Sequence, residues 1–512
     1  MFSRVYSGAI NGVDAYRIEV EVDCSGGMGQ INIVGLPDTA VKESQDRVRS
    51  AIRACKFLMP AGRKWTINLA PADIRKEGPF LDLPIAVGIL ASAGHIASER
   101  LSEFWIAGEL GLDGALRTVS GVLAAAIACK ASGATNIIVP EANGPEASLV
   151  DGLNVYAVGH LKQVYDILTR KNLEAPYYSN AKEQYEIQCL EQGILPDFQE
   201  VKGQNRAKSA LIVAAAGRHN ILMVGPPGSG KSMLAQRLPS IMPPLEFDEA
   251  LELTKLYSVA GQLSEKGGII AQRPFRAPHH SASLVGLVGG GSYPRPGEIS
   301  LSHMGILFLD ELIEFPRAVL ESLRQPLESG TVTISRAQHT FTFPAGFLLV
   351  GACNPCPCGY SGDNIKFCTC SQFQAARYWS RLSGPILDRI DLHVQVSRLH
   401  SDELAGDAPS LGSDSMRKHV LKALRRQKER CGRDKFLFNG QYGQRELRKY
   451  CTLDAGSKRL LAQEASGSGI SARAYDRIVR ISRTIADIKG SEKIEEVHVR
   501  EAIGYRLNHS IV

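Results

Sequence analysis

Eight consecutive residues constrain this chain more than any others: Gly225-Pro226-Pro227-Gly228-Ser229-Gly230-Lys231-Ser232, which fit the pattern G-x-x-x-x-G-K-[ST]. They follow an apolar run of strand length, HNILMV, and precede a helical run, MLAQRL. Such a loop works only where a strand end hands glycine-rich backbone to a helix N-terminus, because there the peptide N–H groups and the helix dipole point at one anion. The neighbouring apolar runs ILMVG, GILFLDE and GFLLVGACNP alternate with amphipathic helices, the pattern of a parallel sheet with helices on its faces. In this setting Lys231 reaches the β- and γ-phosphates of a nucleotide and Ser232 binds Mg²⁺, so ATP and Mg²⁺ are the expected ligands.

The second half of the site is Ile306-Leu307-Phe308-Leu309-Asp310-Glu311, an apolar strand ending in two acids. Adjacent carboxylates at the end of a buried strand are costly to desolvate unless something cationic or catalytic meets them. Asp310 is expected to help hold Mg²⁺ and Glu311 to polarise the attacking water. The interval between Ser232 and Asp310 has room for a helix, a strand and an extra piece. That piece holds LVGLVGGGSYPRPGEIS, too rich in Gly and Pro for an element interior. Close by, Arg276, His279 and His280 in FRAPHH have the chemistry to contact phosphates. Adjacent histidines in a strand point to opposite faces, so the pair is not expected to share a metal. Structural hydrogen bonding is the expected role of all three.

The 512 residues are enough for two to four domains. With 44% hydrophobic and 22% charged residues, a largely disordered or collagen-like chain is excluded. No run approaches the length of a membrane span and the first residues are polar, so a cytoplasmic protein without a membrane partner is expected. A net charge of +6 permits nucleic acid as a partner without demanding it. Residues 1–170 read as a compact α/β domain with strands at WTINLA, NIIVP and LNVYAVG. Residues 171–197 read as a linker, 198–400 as the nucleotide-binding core, and 401–512 as helices. The stretch Arg417 to Lys435 carries nine Lys or Arg and two acids. Met416, Val420, Leu421 and Leu424 give it an apolar face to pack, opposite a positive one suited to phosphates.

Five of the 11 cysteines fall between Cys353 and Cys370, which points to a metal in a reducing compartment rather than to disulfides. Cys356, Cys358, Cys368 and Cys370 form C-x-C-x9-C-x-C, two thiol pairs able to wrap one tetrahedral Zn²⁺ at about 2.3 Å. Because C-x-C is tighter than the usual spacing, Cys353 is a possible substitute for Cys356. With no open coordination position evident, the expected ion is structural. It would order an insertion at about 353–372, whose Lys366 and Tyr360 could touch nucleic acid.

The phosphate loop and acid pair, together with RPFRAPHHSASLVGLVGGGSYPRPGEISLSHMGILFLDE, Asn354 in GACNP, and SGPILDRIDLHV, resemble the magnesium-chelatase-like branch of the AAA+ ATPases. More closely, nearly the whole chain resembles the bacterial ComM (YifB-like) family. The resemblance implies a P-loop AAA+ parallel-sheet module with a helical lid, assembled as a homohexamer with ATP between neighbours. It implies that Asn354 senses the γ-phosphate and that Arg389 is the finger inserted into the next subunit's site, with Arg381 an alternative. It makes Arg473, in SGISARAYDRIVRISRT, the sensor-2 arginine of the lid. In EVKGQNRAKSALIVAAAG, Val201 and Gly203 match the positions that contact adenine, and the Gly- and Pro-rich insertion would project into the ring's pore.

Residues 64 to 125 resemble the proteolytic domain of Lon-type enzymes, a ribosomal S5 domain 2-like α/β fold. In the turn Gly78-Pro79-Phe80-Leu81-Asp82, Phe80 occupies the place of the nucleophilic serine, and Leu123 that of the lysine. A Ser-Lys mechanism needs both groups, so an inactive domain is expected. The function implied is an ATP-dependent DNA motor, a branch-migration helicase that aids integration of incoming DNA in natural transformation and homologous recombination. Single-stranded and branched DNA and recombination proteins would be its partners. The alternative is a chelatase-like ATPase subunit that drives metal insertion through a partner.

Overall fold

The computed structural model describes residues 1–27, 29–72, 76, 78–170, 175–177, 180–191, 193, 195–263, 268–291, 294–335, 340–399, 410–432, 435–468 and 471–506. The N-terminal domain is a seven-stranded mixed sheet in the order Ile31–Val34, Arg63–Ala70, Asp14–Gly26, Phe2–Asn11, Phe104–Ile106, Asn136–Pro140, Asn154–Val158. Its long first hairpin pairs Phe2 with Asp23 through to Asn11 with Asp14. Helix Asp82–Ser92 is buried along its whole length against this sheet. That position explains a helix apolar on every side.

The second sheet has five strands, all parallel, in the order Phe275–Arg276, Ile306–Leu309, Leu348–Cys353, Ile221–Val224, Leu392–Gln395. Alternation along the strands divides its core in two. Ile221, Met223, Ile306, Phe308, Val350 and Val394 face one cluster, whereas Leu222, Val224, Leu307, Leu309 and Leu349 face the other. The phosphate-loop strand lies between Leu348–Cys353 and Leu392–Gln395, with Ile306–Leu309 next but one, and all of them run the same way. The acid pair and Asn354 are therefore delivered to one edge of the sheet, where ligands bind in open α/β folds.

The C-terminal helices close over the first of these clusters. Helix Ser413–Cys431 buries Met416, Val420, Ala423 and Gln427 against Asn205–Gly217 and Ala472–Lys489. Its packed face thus differs from the expected one: Leu421 is exposed, and Ala423 and Gln427 take the inward positions. Gln427 is satisfied there by hydrogen bonds, donating to Ala216 O at 2.9 Å and accepting from Asn439 N at 3.1 Å. Among the described residues no helix is long and apolar enough to cross a membrane.

The stretch expected to be a linker, 171–197, contains helix Ala181–Leu190, capped by the Asn180 side chain. Ala181 joins Leu123, Leu149, Leu245, Leu253 and Tyr257 in a cluster between the two domains. There helix Val122–Ala131 packs on helix Phe247–Ala260, Gly121 N donates to Ser258 O at 3.0 Å, and Ser258 Oγ donates to Glu146 Oε2 at 2.6 Å. Burial raises the pKa of Glu146, against the lowering effect of Ser258 and Asn143.

A folded-state pKa above the ordinary 4.5 means that ionising Glu146 costs stability, a cost absent well below that pH and growing as pH rises past it. Glu146→Gln keeps the shape without the charge. Thermal melts should show a higher Tm than wild type at neutral pH and no gain at pH 3.5; a lower Tm at neutral pH would show that the charge itself stabilises the contact.

Candidate functional site

The phosphate loop turns from strand Ile221–Val224 into helix Lys231–Arg237 through two left-handed glycines, Gly228 at φ +75° and Gly230 at φ +91°. A Cβ at either position would meet nothing within 4 Å, so the concave side of the loop is open. Lys231 is only 8% exposed, and its Nζ donates to Gly225 O at 2.7 Å, Pro226 O at 2.9 Å and Asn354 Oδ1 at 3.4 Å. Burial lowers its pKa, while Cys353, Asp310 and Glu311 act in the opposite direction. Ser232 Oγ donates to Asp310 Oδ2 at 2.6 Å, which brings both expected Mg²⁺-holding groups together. Ser229 Oγ is buried without a hydrogen-bond partner. An open cradle of backbone, a buried ammonium, an orphaned hydroxyl and a paired hydroxyl and carboxylate fit a magnesium–nucleotide complex.

Glu311 follows directly, with its N–H on Asp310 Oδ1 at 2.9 Å and its backbone in the left-handed region at φ +50°. Such strain in a non-glycine residue persists only when the surroundings enforce it, and it turns Glu311 away from the strand direction. Its carboxylate lies 3.3 Å from His280 Nδ1. The histidines depart from expectation here: the strand ends at Arg276, and the His279 and His280 rings lie together with centroids 4.0 Å apart instead of on opposite faces. Arg276 makes a two-armed ion pair with Glu298, at 2.6 and 2.5 Å, which is the structural role expected of it. The Gly- and Pro-rich insertion forms helix Leu284–Val288, a two-residue strand pair Gly289–Gly290 with Arg295–Pro296, and helix Glu298–Leu301. Residues 292 and 293 between those strands lie outside the described residues.

In the segment expected to contact adenine, Val201 is buried and its carbonyl accepts from Lys208 Nζ and Ser410 Oγ, each at 2.6 Å. Gly203 is left-handed and abuts Leu399. Next to it Gln204, which carries no motif, donates to Ser229 O at 3.3 Å and Ser397 O at 2.6 Å, pinning this segment to the loop.

The three arginines lie elsewhere. Arg389 donates to Pro385 O at 2.8 Å and pairs with Glu328. Exposed Arg473 is near enough to Glu328 to help lower its pKa, after the larger effect of Arg389. Arg381 pairs with Glu314 at 2.7 Å. Arg389 and Arg473 thus share a carboxylate neighbour, Glu328.

Beyond Asn354, the sulfurs of Cys356, Cys358, Cys368 and Cys370 lie within 4.8 Å of one another. Three pairs are 3.4, 3.6 and 3.6 Å apart. A disulfide would need about 2.05 Å, whereas a tetrahedron with bonds of about 2.3 Å has edges near 3.8 Å. Cys358 N and Cys370 N each donate to a sulfur of the group at 3.4 Å, which suits thiolate ligands. This group can hold a metal ion. Cys353 is not part of it: its side chain sits in the sheet core, where burial pushes its thiol pKa up to about 12. Of the residues expected to touch nucleic acid, Tyr360 has both Lys366 and Arg398 over its ring, at 5.1 and 5.2 Å from the centroid.

In the N-terminal domain, Phe80 is 6% exposed in the core and Leu123 is fully buried between the domains, so packing fills the two positions a Ser-Lys pair would need.

Family models described as magnesium chelatase subunit ChlI, subunit ChlI of Mg-chelatase and magnesium chelatase subunit ChlI C-terminal match residues 197–404, 20–143 and 410–506. The chain is 44% identical to competence protein ComM of Haemophilus influenzae over 98% of its own length and 97% of that protein. It is 42% identical to the uncharacterized protein YifB of Escherichia coli, over 98% and 97%. Lon protease 2 of Bacillus subtilis matches at 27% identity over 31% of this chain and 32% of that protein.

Titrating the reduced protein with Co²⁺ should give thiolate-to-metal charge-transfer absorption that saturates at one equivalent per chain. Cys353→Ser should leave the spectrum unchanged, whereas Cys358→Ser combined with Cys368→Ser should abolish it. An altered spectrum from Cys353→Ser would put that residue back in the ligand set.

Proposed function

The chain belongs to the ComM and YifB family of magnesium-chelatase-like AAA+ ATPases, and from that premise we propose that it is an ATP-driven DNA motor. In this reading six copies form a ring around DNA and move branch points, aiding integration of incoming DNA in natural transformation and homologous recombination. The observation that carries the ATPase half is the convergence of Lys231, Ser232, Asp310, Glu311 and Asn354 at one sheet edge. The ComM relative's name supports the link to competence.

Within each site the phosphate loop cradles ATP, with Val201 and Gly203 on the adenine side. Ser232 and Asp310 would hold Mg²⁺, which when bound neutralises charge on the β- and γ-phosphates. Lys231 pairs with the same phosphates, Glu311 orients the attacking water and accepts its proton, and Asn354 fixes that water against the γ-phosphate. Arg389 is the finger that completes the neighbouring subunit's site and Arg473 is the sensor-2 arginine of the lid, a reading supported by their shared position beside Glu328. The cysteine centre takes a structural Zn²⁺. Hydrolysis then moves the insertion around residues 284–300 along the DNA backbone. Exposed Lys418, Lys422 and Arg425 on helix Ser413–Cys431 supply a positive face of the kind DNA needs.

The second reading, an ATPase subunit that drives metal insertion through a partner, is favoured by the magnesium chelatase descriptions of all three family models. ATPase rates with and without single-stranded, double-stranded and branched DNA, beside strand displacement from a branched substrate, separate the two. DNA should stimulate hydrolysis, and Glu311→Gln should lower kcat by about 100-fold or more while ATP still binds. A hexameric wild type that no DNA form binds or stimulates would favour the chelatase-like reading.

Lys418→Ala, Lys422→Ala and Arg425→Ala together should weaken DNA binding for all sequences and flatten the dependence of log affinity on log salt by about 0.9 for each phosphate no longer neutralised. An unchanged salt slope would remove this helix from the DNA surface.

A further inference from the structure

We propose that the cysteine centre, when loaded with metal, braces the phosphate loop, so that nucleotide affinity depends on the metal. The inference rests on the zinc and ATPase readings above and adds a connection that neither requires.

The insertion leaves the sheet at Asn354, which contacts Lys231, and enters helix Gln372–Trp379. Between them it folds back onto the loop itself. Gly359, with φ +85°, lies so close to Pro227 that a Cβ there would come within 2.7 Å of the proline Cδ. Only backbone fits in that gap, and any side chain would push the loop away. The same proline is held through its carbonyl by Arg398, just past strand Leu392–Gln395. Arg398 Nη2 and Nε donate to Pro227 O at 3.0 and 3.3 Å. Its guanidinium also lies 5.2 Å from the Tyr360 ring centre and 3.5 Å from Asp363, whose side chain is 1% exposed.

Arg398 therefore links the phosphate loop to two residues of the insertion, and both lie inside the interval spanned by the four cysteines. Cys356 and Cys358 precede Gly359, while Cys368 and Cys370 follow Lys366. The described structure between Cys356 and Cys370 has no helix or strand to hold it. A segment this polar has no core of its own, so the metal is what offsets the entropy of fixing it. With the cysteines unligated, Gly359, Tyr360 and Asp363 lose their fixed positions. Pro227 loses its backing and Arg398 its anchor, and the N–H groups of the loop are no longer pre-arranged for phosphates. Arg398 is on this account a positioning residue, acting on nucleotide through Pro227.

The test uses the full-length protein kept reduced, with metal content measured by mass spectrometry and nucleotide affinity by a fluorescent ATP analogue in Mg²⁺. One sample is stripped with a zinc chelator that is then removed, and part of it is reloaded with Zn²⁺. Stripping should weaken nucleotide binding by about tenfold or more, the scale of one hydrogen bond to a charged group, and reloading should restore it. Arg398→Ala should retain its zinc and show the same loss, chiefly as a raised KM for ATP with a smaller change in kcat; this variant separates bracing from general unfolding. Unchanged affinity in the stripped protein, or in a zinc-replete Arg398→Ala, overturns the inference alone. A chain that takes up no metal overturns the zinc reading and this inference with it, and a loaded wild type that binds no nucleotide overturns the ATPase reading.

Discussion

An ammonium in a protein interior must be surrounded by acceptors, and the nucleotide module is arranged around the place where Lys231 meets that requirement. Its acceptors are two carbonyls of its own loop and the side chain of Asn354. The loop carbonyls can converge on Nζ only if Gly228 and Gly230 take left-handed turns, and Asn354 can reach it only if strand Leu348–Cys353 runs parallel beside Ile221–Val224. Strand order follows from there. With Ile306–Leu309 on the far side of Leu348–Cys353, Asp310 arrives within hydrogen-bond distance of Ser232.

Features that recur in a local pattern were legible in the sequence. The phosphate loop, the acid pair and the apolar strands each declare themselves within ten residues, because backbone geometry there dictates residue type. The four clustered cysteines were legible for the same reason. Contacts set by tertiary packing were not. His280 meets Glu311 because the chain turns after Arg276, and treating His279 and His280 as strand neighbours separated two rings that lie together. Arg398 and Gln204 hold the loop through carbonyl oxygens, which leave no trace in residue type. On helix Ser413–Cys431 the inward face includes Gln427, a polar residue whose burial depends on partners at Ala216 and Asn439 that periodicity cannot see.

The N-terminal domain shows how packing can occupy the positions at which a related fold carries its chemistry. Its Lon-like framework needs a hydroxyl and an amine at two positions to cut peptides, and it holds apolar side chains at both. Phe80 fills the domain's own core, and Leu123 lies in the cluster shared with helix Phe247–Ala260. An amine at position 123 would be buried among Leu149, Leu253 and Tyr257, where an unpaired charge is costly. The contact that joins the domains is therefore incompatible with a catalytic amine there, because one surface cannot be both apolar interface and catalytic cleft.

Exposed loops beside a phosphate site are usually free to vary, since the glycine-rich turn alone presents the N–H donors. Here that freedom is restricted at Pro227, whose ring is met by Gly359 and whose carbonyl is tied by Arg398. Replacement of Gly359 would strain a left-handed backbone and also push a side chain into the proline. Replacement of Arg398 would leave buried Asp363 without its cation. The cysteines, the glycine, the arginine and the proline thus form one unit in physical terms, in which the cost of losing any member falls on the loop that receives the phosphates.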